Sequence, residues 1–216
     1  DLGRRHAERA VALSRRQAAS AAPEDRSARR DTAMSLFTLG FAAYHDGDLQ
    51  TSESALREET ALLEALHAEA PQDLRLAVSL AGGHWSLAGP LWGRSQLAEA
   101  VQHYERARGL QEEVLRASPV DRAARRQLAY THESLGTLWS RTGDPRALGA
   151  LRRALELRRE MSRSDPRDAD ARLSAIAAQK SRLAAREVLK HAYNQEPAEK
   201  AALFRVVADI ADESLV

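Results

Sequence analysis

The sequence predicts an all-α protein assembled from antiparallel helical hairpins that repeat about every 48 residues. Its apolar residues recur at steps of three and four, and no segment shows the sustained alternation that indicates a strand. Four prolines mark the repeat, because each follows the end of an apolar-periodic segment and cannot continue a helix. They are spaced by 48, 48 and 47 residues, at Pro23, Pro71, Pro119 and Pro166.

The helical periodicity predicts nine helices. An Asp lies two residues after each of the four prolines and is suited to cap the next helix. Gly47-Asp48 and Gly143-Asp144 predict hairpin turns with a positive φ at the glycine. Gly89-Pro90 predicts a kink or an early end in the fourth helix. The nine helices lie near residues 2–21, 28–45, 49–69, 73–92, 96–117, 121–141, 145–163, 168–191 and 197–214.

We expect the chain to form a single helical-repeat domain over residues 1–216, and to be a segment of a longer protein because it opens inside a predicted helix without an initiator Met. The repeat boundaries follow the prolines. They give a partial repeat helix at 1–22, repeat 1 at 24–70, repeat 2 at 72–118, repeat 3 at 120–165, and repeat 4 with a capping helix at 167–216.

Composition excludes several functions. Lys and Arg number 32 and Asp and Glu number 31, so no net field attracts nucleic acid or anionic lipid. No apolar run approaches the roughly 18 residues of a transmembrane helix, which argues against membrane insertion within this chain. The absence of cysteine excludes disulfides and thiolate metal sites.

The titratable side chains predict no catalytic residue, no cofactor and no metal site. His84 and His132 are 48 residues apart, but the next equivalent position is near Gln179, so a third metal ligand is missing. We expect both to be core histidines with a hydrogen-bond partner. His45, Asp46 and Asp48 fall in a predicted turn, where Asp commonly caps backbone amides.

The third repeat resembles tetratricopeptide repeats, in which Leu-Gly late in the first helix is followed by a Gly-Asp turn, small and large residues on the second helix, and a closing Pro. The resemblance implies a right-handed α-solenoid of stacked hairpins. The departures are a period of 48 instead of 34, Ala88 and Ser95 at glycine positions, and Glu59 at a small position. Leu36, His84 and His132 stand at the position of the family's Trp. The matching residues are Leu135, Gly136, Gly143, Asp144, Ala147, Leu151, Ala154 and Pro166.

Residues 135–168 are also similar to the long repeats attached to bacterial serine/threonine kinases, although no kinase motif is present in this chain. This similarity suggests a regulatory part of a larger bacterial signalling protein. The cytoplasm is the favoured compartment, and an extracytoplasmic location would follow if the chain were the tail of a transmembrane kinase.

The resemblance places the concave groove of such arrays on the outward positions of the first helices. We hypothesise that these positions bind an apolar or aromatic peptide, or a helix, because aromatic anchors in a concave surface contribute much of the binding free energy. The alternative is that some of these side chains pack between helices. The set contains six of the ten aromatic residues of the chain and comprises Met34, Phe37, Phe41, Tyr44, Trp85, Trp92 and Tyr130.

The sequence therefore favours a protein-interaction or scaffold domain with a protein or peptide partner. The first alternative is structural self-association, with a homodimer formed through the C-terminal helix, whose apolar stripe includes Leu203, Val207 and Ile210. The second alternative is an enzyme, which no constellation of residues supports.

Overall fold

The computed structural model describes residues 2–20 and 25–164, and these residues form seven helices and no strand. The all-α prediction is confirmed, and the first seven predicted helices agree with the observed ones to within two residues at each end. The predicted helices near 168–191 and 197–214 lie outside the described residues, together with Pro23, Pro166, Asp168 and the apolar C-terminal stripe. The helices are α1 Leu2–Ser20, α2 Arg26–His45, α3 Leu49–Glu69, α4 Leu74–Gly93, α5 Leu97–Ala117, α6 Arg122–Arg141 and α7 Arg146–Ser164.

The chain divides into two compact units, Asp1–Leu110 and Gln111–Val216. In unit 1, α1 packs on α2, α2 on α3 and α3 on α4; in unit 2, α6 packs on α7. The repeat boundaries predicted from the prolines stay predictions. None of the helices in the described part of the chain is both long and apolar enough to cross a bilayer.

Aspartates start four of the helices. The Asp25 carboxylate accepts hydrogen bonds from the backbone N–H groups of Ser27 and Ala28, and Asp48 accepts one from that of Thr51. Asp73 and Asp121 cap α4 and α6 in the same way. Each cap satisfies amides that the first helical turn leaves free and stabilises the helix by about 1 kcal/mol. The capping predicted for Asp25, Asp73 and Asp121 is confirmed.

The turns inside the hairpins repeat the same backbone hydrogen bond. The amides of Asp48, Gln96 and Asp144 each donate to a carbonyl five residues earlier, at 2.9 Å. This bond and a residue with positive φ define the Schellman ending of a helix. The residue with positive φ is Gly47, Ser95 or Gly143, with φ of 80°, 64° and 71°. The two glycine turns are therefore confirmed, and serine adopts the same conformation in the turn between them.

Pro71 and Pro119 lie in the turns that join one hairpin to the next, as predicted. The early end predicted at Pro90 is wrong, because α4 continues through this residue to Gly93. Pro90 removes one helical hydrogen bond, but Pro90 and Leu91 are both buried. The carbonyl of Leu91 also accepts the hydrogen bond that forms the next turn. The kink at Pro90 stays a prediction.

Two glycines allow the helices of a hairpin to approach closely. A Cβ built on Gly40 would lie 2.5 Å from Cγ of Leu56, and one on Gly136 would lie 2.5 Å from Cγ of Leu151. Real Cβ atoms do not come this close to another carbon. Leu56 and Leu151 are almost completely buried, so each leucine lies directly against the backbone of the partner helix.

Glu59 is a carboxylate in the interface between α3 and α4. It occupies the position of Ala107 and Ala154 in the later repeats, and a Cβ on Gly83 of α4 would lie 3.5 Å from its Oε1. Its Oε2 has no hydrogen-bond partner among the described residues. Burial raises the pKa of Glu59 from 4.5 to about 8, because removal from water disfavours the charged form.

We predict that Gly40→Ala and Gly136→Ala each lower the free energy of unfolding by about 1–3 kcal/mol, because the new methyl group overpacks the hairpin. Gly109→Ala and Gly149→Ala are matched controls, since no described atom lies within 4 Å of a Cβ at either site. Removing these helical glycines should stabilise by about 0.5–1 kcal/mol. Urea titrations of the four variants measure the difference. Equal effects at all four sites would contradict the close approach.

A second prediction concerns Glu59. Between pH 4.5 and about 8 the folded state holds a proton on this carboxyl that the unfolded state has lost, so stability falls as pH rises. Glu59→Gln should lack this dependence. The stability of the variant relative to the wild type should rise by about 1.4 kcal/mol per pH unit between roughly pH 5.5 and 7.5. Thermal and urea unfolding across this range measure the difference. The histidines are the same in both proteins, so their contributions cancel. A constant difference would exclude a buried neutral carboxyl.

Candidate interaction surface

Four of the predicted groove residues lie along one face of α2. Met34, Phe37, Phe41 and Tyr44 follow steps of three, four and three, which bring side chains to the same side of a helix. The exposed fractions of Met34, Phe41 and Tyr44 are 67%, 53% and 43%, and Phe37 is partly buried. The rings of Phe37 and Phe41 stack with centroids 6.0 Å apart. Met34, Phe41 and Tyr44 therefore face solvent, and the groove itself stays a prediction.

His45 extends this row of rings to the end of the helix. Its imidazole lies edge-on to Phe41 with centroids 4.4 Å apart, and edge-on to Tyr44 at 6.0 Å. The neighbouring Asp48 caps α3 with its side chain, as expected from the sequence, whereas Asp46 ends α2 through its backbone N–H. The aromatic contacts of His45 were not predicted, because its place next to the turn suggested only a polar loop residue.

The equivalent positions of α4, 48 residues later, are alternately glycine and tryptophan. Trp85 is 40% exposed and Trp92 is partly buried. The glycines of this face are Gly82 and Gly89. A Cβ on Gly89 would lie 3.4 Å from Cε2 of Tyr44, so the tyrosine ring of α2 covers this glycine. A Cβ on Gly82 would have no described atom within 4 Å.

Six predicted residues thus lie on the adjoining faces of α2 and α4 in unit 1. Both helices supply uncharged side chains, and they touch where Tyr44 covers Gly89. We call this set the aromatic strip; it comprises Met34, Phe37, Phe41, Tyr44, Trp85 and Trp92. One cavity of unit 1, about 420 Å³ in volume, lies elsewhere, between α1, α2 and α3, and no residue of the strip lines it.

Tyr130, the seventh predicted residue, belongs to unit 2 and has a different environment. It is partly buried, and the guanidinium carbon of Arg158 lies 4.7 Å from the centre of its ring. Arg158 is itself buried and donates a hydrogen bond of 2.6 Å to Oε2 of Glu133, which is also buried. An arginine pair on a helix, such as Arg158-Arg159, predicts a solvated face, and that expectation is wrong for Arg158. In unit 2, Tyr130 therefore packs against a buried arginine that is paired with a buried glutamate.

His84 and His132 are both buried, as predicted. The hydrogen-bond partner expected for His84 is His103 of α5, with the two Nδ1 atoms 3.0 Å apart. His103 was not predicted, because its partner comes from a different helix and no register position repeats it. Within residues 2–20 and 25–164 no group of three or more His, Asp or Glu side chains is arranged to hold a metal ion.

Two comparisons are based on sequence and one on structure. No family model matches the chain, and no curated protein matches it. BtubC (BKLC) from P. vanneervenii has a similar crystal structure, with a TM-score of 0.57, 18% identity, and coverage of 97% of this chain and 82% of that one.

A Podosopora anserina protein assigned as a kinesin light chain, with nearly identical TPR-like repeats, is similar in its Q17M form. The TM-score is 0.58 with 19% identity, and the match covers 99% of this chain and 93% of that one. The same protein without this substitution gives a TM-score of 0.57. At such identities the likeness concerns the fold. Together with the repeated caps and turns, it shows that this chain has a tetratricopeptide-like helical repeat fold.

Proposed function

We propose that this protein is an interaction module and that unit 1 binds an uncharged, apolar segment of another protein along the aromatic strip. Repeat folds of this kind generally offer extended surfaces to protein partners in place of an enclosed reaction pocket. The observation that carries the proposal is the exposure of four large hydrophobic side chains on two adjoining helices: Met34, Phe41, Tyr44 and Trp85.

The exposure of these side chains has no explanation within the described fold. Single exposed apolar residues are common on protein surfaces, but a contiguous group is typical of interaction sites. Leu36 and Ala43, on the opposite side of α2, already supply its packing contacts in the core. The fold can therefore bury α2 without Phe41, and the free face is available to a partner.

Gly82 supports the proposal independently. A glycine inside a helix costs about 1 kcal/mol relative to alanine. Gly83 has a packing reason, because a Cβ there would lie 3.3 Å from Cδ1 of Leu63. Gly82 has no such neighbour, and Trp85 follows it by one turn on the same face. We infer that the space above Gly82 receives a side chain of the partner.

The chemistry of the partner follows from the charge of the strip. Neither residues 34–44 of α2 nor residues 82–92 of α4 include an Asp, Glu, Lys or Arg. A charged side chain placed there would lose water without gaining a counter-ion, which is costly. We therefore infer a segment with aliphatic or aromatic side chains, presented by a peptide or a helix.

The similarity of repeat 3 to kinase-associated repeats supports the further proposal that this module regulates a larger bacterial signalling protein. Self-association through the predicted C-terminal helix stays a prediction. Light scattering tests it, since a monomer at all concentrations would exclude it.

The first test uses a displayed library of random peptides selected on the immobilised chain. We expect enrichment of aromatic and aliphatic side chains. Phe41→Ala and Trp85→Ala should weaken a selected peptide about tenfold each, or about 1.4 kcal/mol, the effect of truncating an interface anchor. Fluorescence anisotropy measures the dissociation constants.

Leu13→Ala is the matched control for Phe41→Ala. Leu13 is 59% exposed but lies on α1, outside the strip. It should leave peptide affinity unchanged, and Phe41→Ala should leave the melting temperature unchanged. If Phe41→Ala unfolds the protein, or if both variants bind as the wild type does, the strip is not the binding surface.

The second test separates binding from stability at Gly82. Gly82→Ala should raise the free energy of unfolding by about 0.5–1 kcal/mol, because alanine is the better helix former. The same change should weaken the selected peptide, because the methyl group fills the space above the helix. Gly109→Ala, which also projects into open space, should stabilise equally and leave the affinity unaltered. Equal affinities of the two variants would show that nothing binds above Gly82.

A further inference from the structure

A buried pair of imidazoles connects α4 and α5 beneath the aromatic strip. His84 and His103 are both buried, their Nδ1 atoms are 3.0 Å apart, and their ring centroids are 5.2 Å apart. At this distance one Nδ1 must donate a proton and the other must accept it. The pair is therefore held together by a single proton between two neutral rings.

One added proton would go to an outer Nε2 and leave the Nδ1–H···Nδ1 hydrogen bond in place between a cation and a neutral ring. A second added proton would break this contact, because both Nδ1 atoms would carry an N–H group, two donors would face each other, and both rings would be cations in a buried site. Burial, the neighbouring His103 and Arg106 lower the pKa of His84 to about 4. Burial is also the main cause of the lowered pKa of His103, followed by Arg106. The neutral pair is accordingly the stable form at neutral pH.

The acidic groups near the pair already have arginine partners. On the α3 side, Oε1 of Glu64 lies 3.6 Å from Nε2 of His84 and 3.5 Å from Arg106. On α5, Oε1 of Glu99 lies 4.0 Å from Nε2 of His103. The guanidinium of Arg57 is closer to this carboxylate, at 2.7 Å.

Two further titratable or charged groups lie on α3 and at the end of α4. Glu59 of α3 lies against Gly83, the neighbour of His84, and burial keeps its carboxyl protonated below about pH 8. Arg94 at the end of α4 pairs with Glu53 at 2.9 Å. Glu64 and Glu99 lie near the outer Nε2 atoms but also pair with arginines, and Arg106 opposes the charging of both imidazoles.

The next residue on each helix belongs to the aromatic contacts. Trp85 follows His84, Tyr104 follows His103, and the two rings meet edge-on with centroids 6.5 Å apart. Trp85 is part of the aromatic strip, whereas Tyr104 is buried. Any separation of the imidazoles therefore acts on the contact that positions Trp85.

We propose that the His84–His103 pair is an acid-sensitive latch: protonation separates α4 from α5, displaces Trp85 and releases the segment bound on the aromatic strip. The release rests on the proposed function, whereas the displacement of Trp85 does not. The folded state disfavours the charged imidazoles, so the unfolded chain binds more protons between about pH 4 and 6.5. The latch is closed above this range and opens toward its lower end, where both imidazoles become charged.

The sequence of repeat 1 suggests a variant without the histidine pair. Repeat 1 holds Leu36 and Ala55 at the register positions of His84 and His103, and these two residues are buried in one apolar cluster. The double variant His84→Leu, His103→Ala therefore replaces the pair with side chains that the fold already accommodates at the equivalent place.

The test follows the indole N–H signals of the three tryptophans by NMR from pH 7.5 to 3.5, with the Trp85 signal assigned from Trp85→Phe. We expect the Trp85 signal to move in one step with a midpoint near pH 4 to 5, before helical circular dichroism is lost. In the double variant the step should be absent. Trp139 in unit 2 is the internal control and should not follow it. At neutral pH, imidazole nitrogen shifts should show one ring protonated on Nδ1 and the other on Nε2.

A second experiment measures the binding of a peptide that was selected on the aromatic strip and has no Asp, Glu or His of its own. Its affinity should fall with the same midpoint in the wild type and stay level in the double variant. If no peptide can be selected, the proposed function fails and the Trp85 step still decides the latch. A Trp85 signal that does not move, that moves equally in the double variant, or that moves only when the helices unfold would overturn the latch.

Discussion

Each hairpin that contains a Gly-Leu contact depends on a residue without a side chain. Gly40 admits Leu56 against the backbone of α2, and Gly136 does the same for Leu151 on α6. A methyl group at either glycine would overlap the leucine, so that the side chain or the helix that carries it would have to shift. In repeat 2 the corresponding residues are Ala88 and Tyr104. Both are buried, so a slightly larger residue on one helix is matched here by a flat ring on the other.

Much of this fold could be predicted from the sequence because its signals are local. Prolines end helices, aspartates begin them, and the apolar step of three and four gives their faces, so seven helix positions followed from residues near each boundary. Pro90 shows the limit of this reasoning. Local rules predict a kink or an early end there, but the helix continues to Gly93 with Pro90 and Leu91 buried, and burial is a property of the packed chain.

The candidate site was predictable to the extent that it follows from register. The residues chosen on α2 and α4 lie on adjoining faces because the same faces recur every 48 residues, and their role in binding stays a proposal. His103, Arg158 and the open space at Gly82 were not predictable, because each depends on which side chain of another helix lies opposite. Tyr130 fits the register and still has a different environment, since the buried Arg158 stacks on it. Periodicity thus gives the face of a residue but not its neighbours.

Departures from good helix design concentrate in α4. It carries four glycines, an internal proline and the buried His84, whereas α5 carries one glycine and α6 carries one. Such local conflicts cost stability and usually occur where a protein has a function to perform. The aromatic strip, the open glycine and the imidazole pair all involve this helix. Its neighbours α3 and α5 contact α4 through Glu59, which lies against Gly83, and through His103, which pairs with His84.

The turn at Ser95 has a consequence for how such proteins diverge. A serine there adopts a left-handed backbone at a cost of about 1–2 kcal/mol, yet the turn keeps the geometry of its two glycine counterparts. The joined helices impose that geometry, and the residue merely tolerates it. Substitutions can therefore replace the characteristic residues of a repeat one at a time without changing its backbone. The folds of such chains can stay similar after their sequences have diverged.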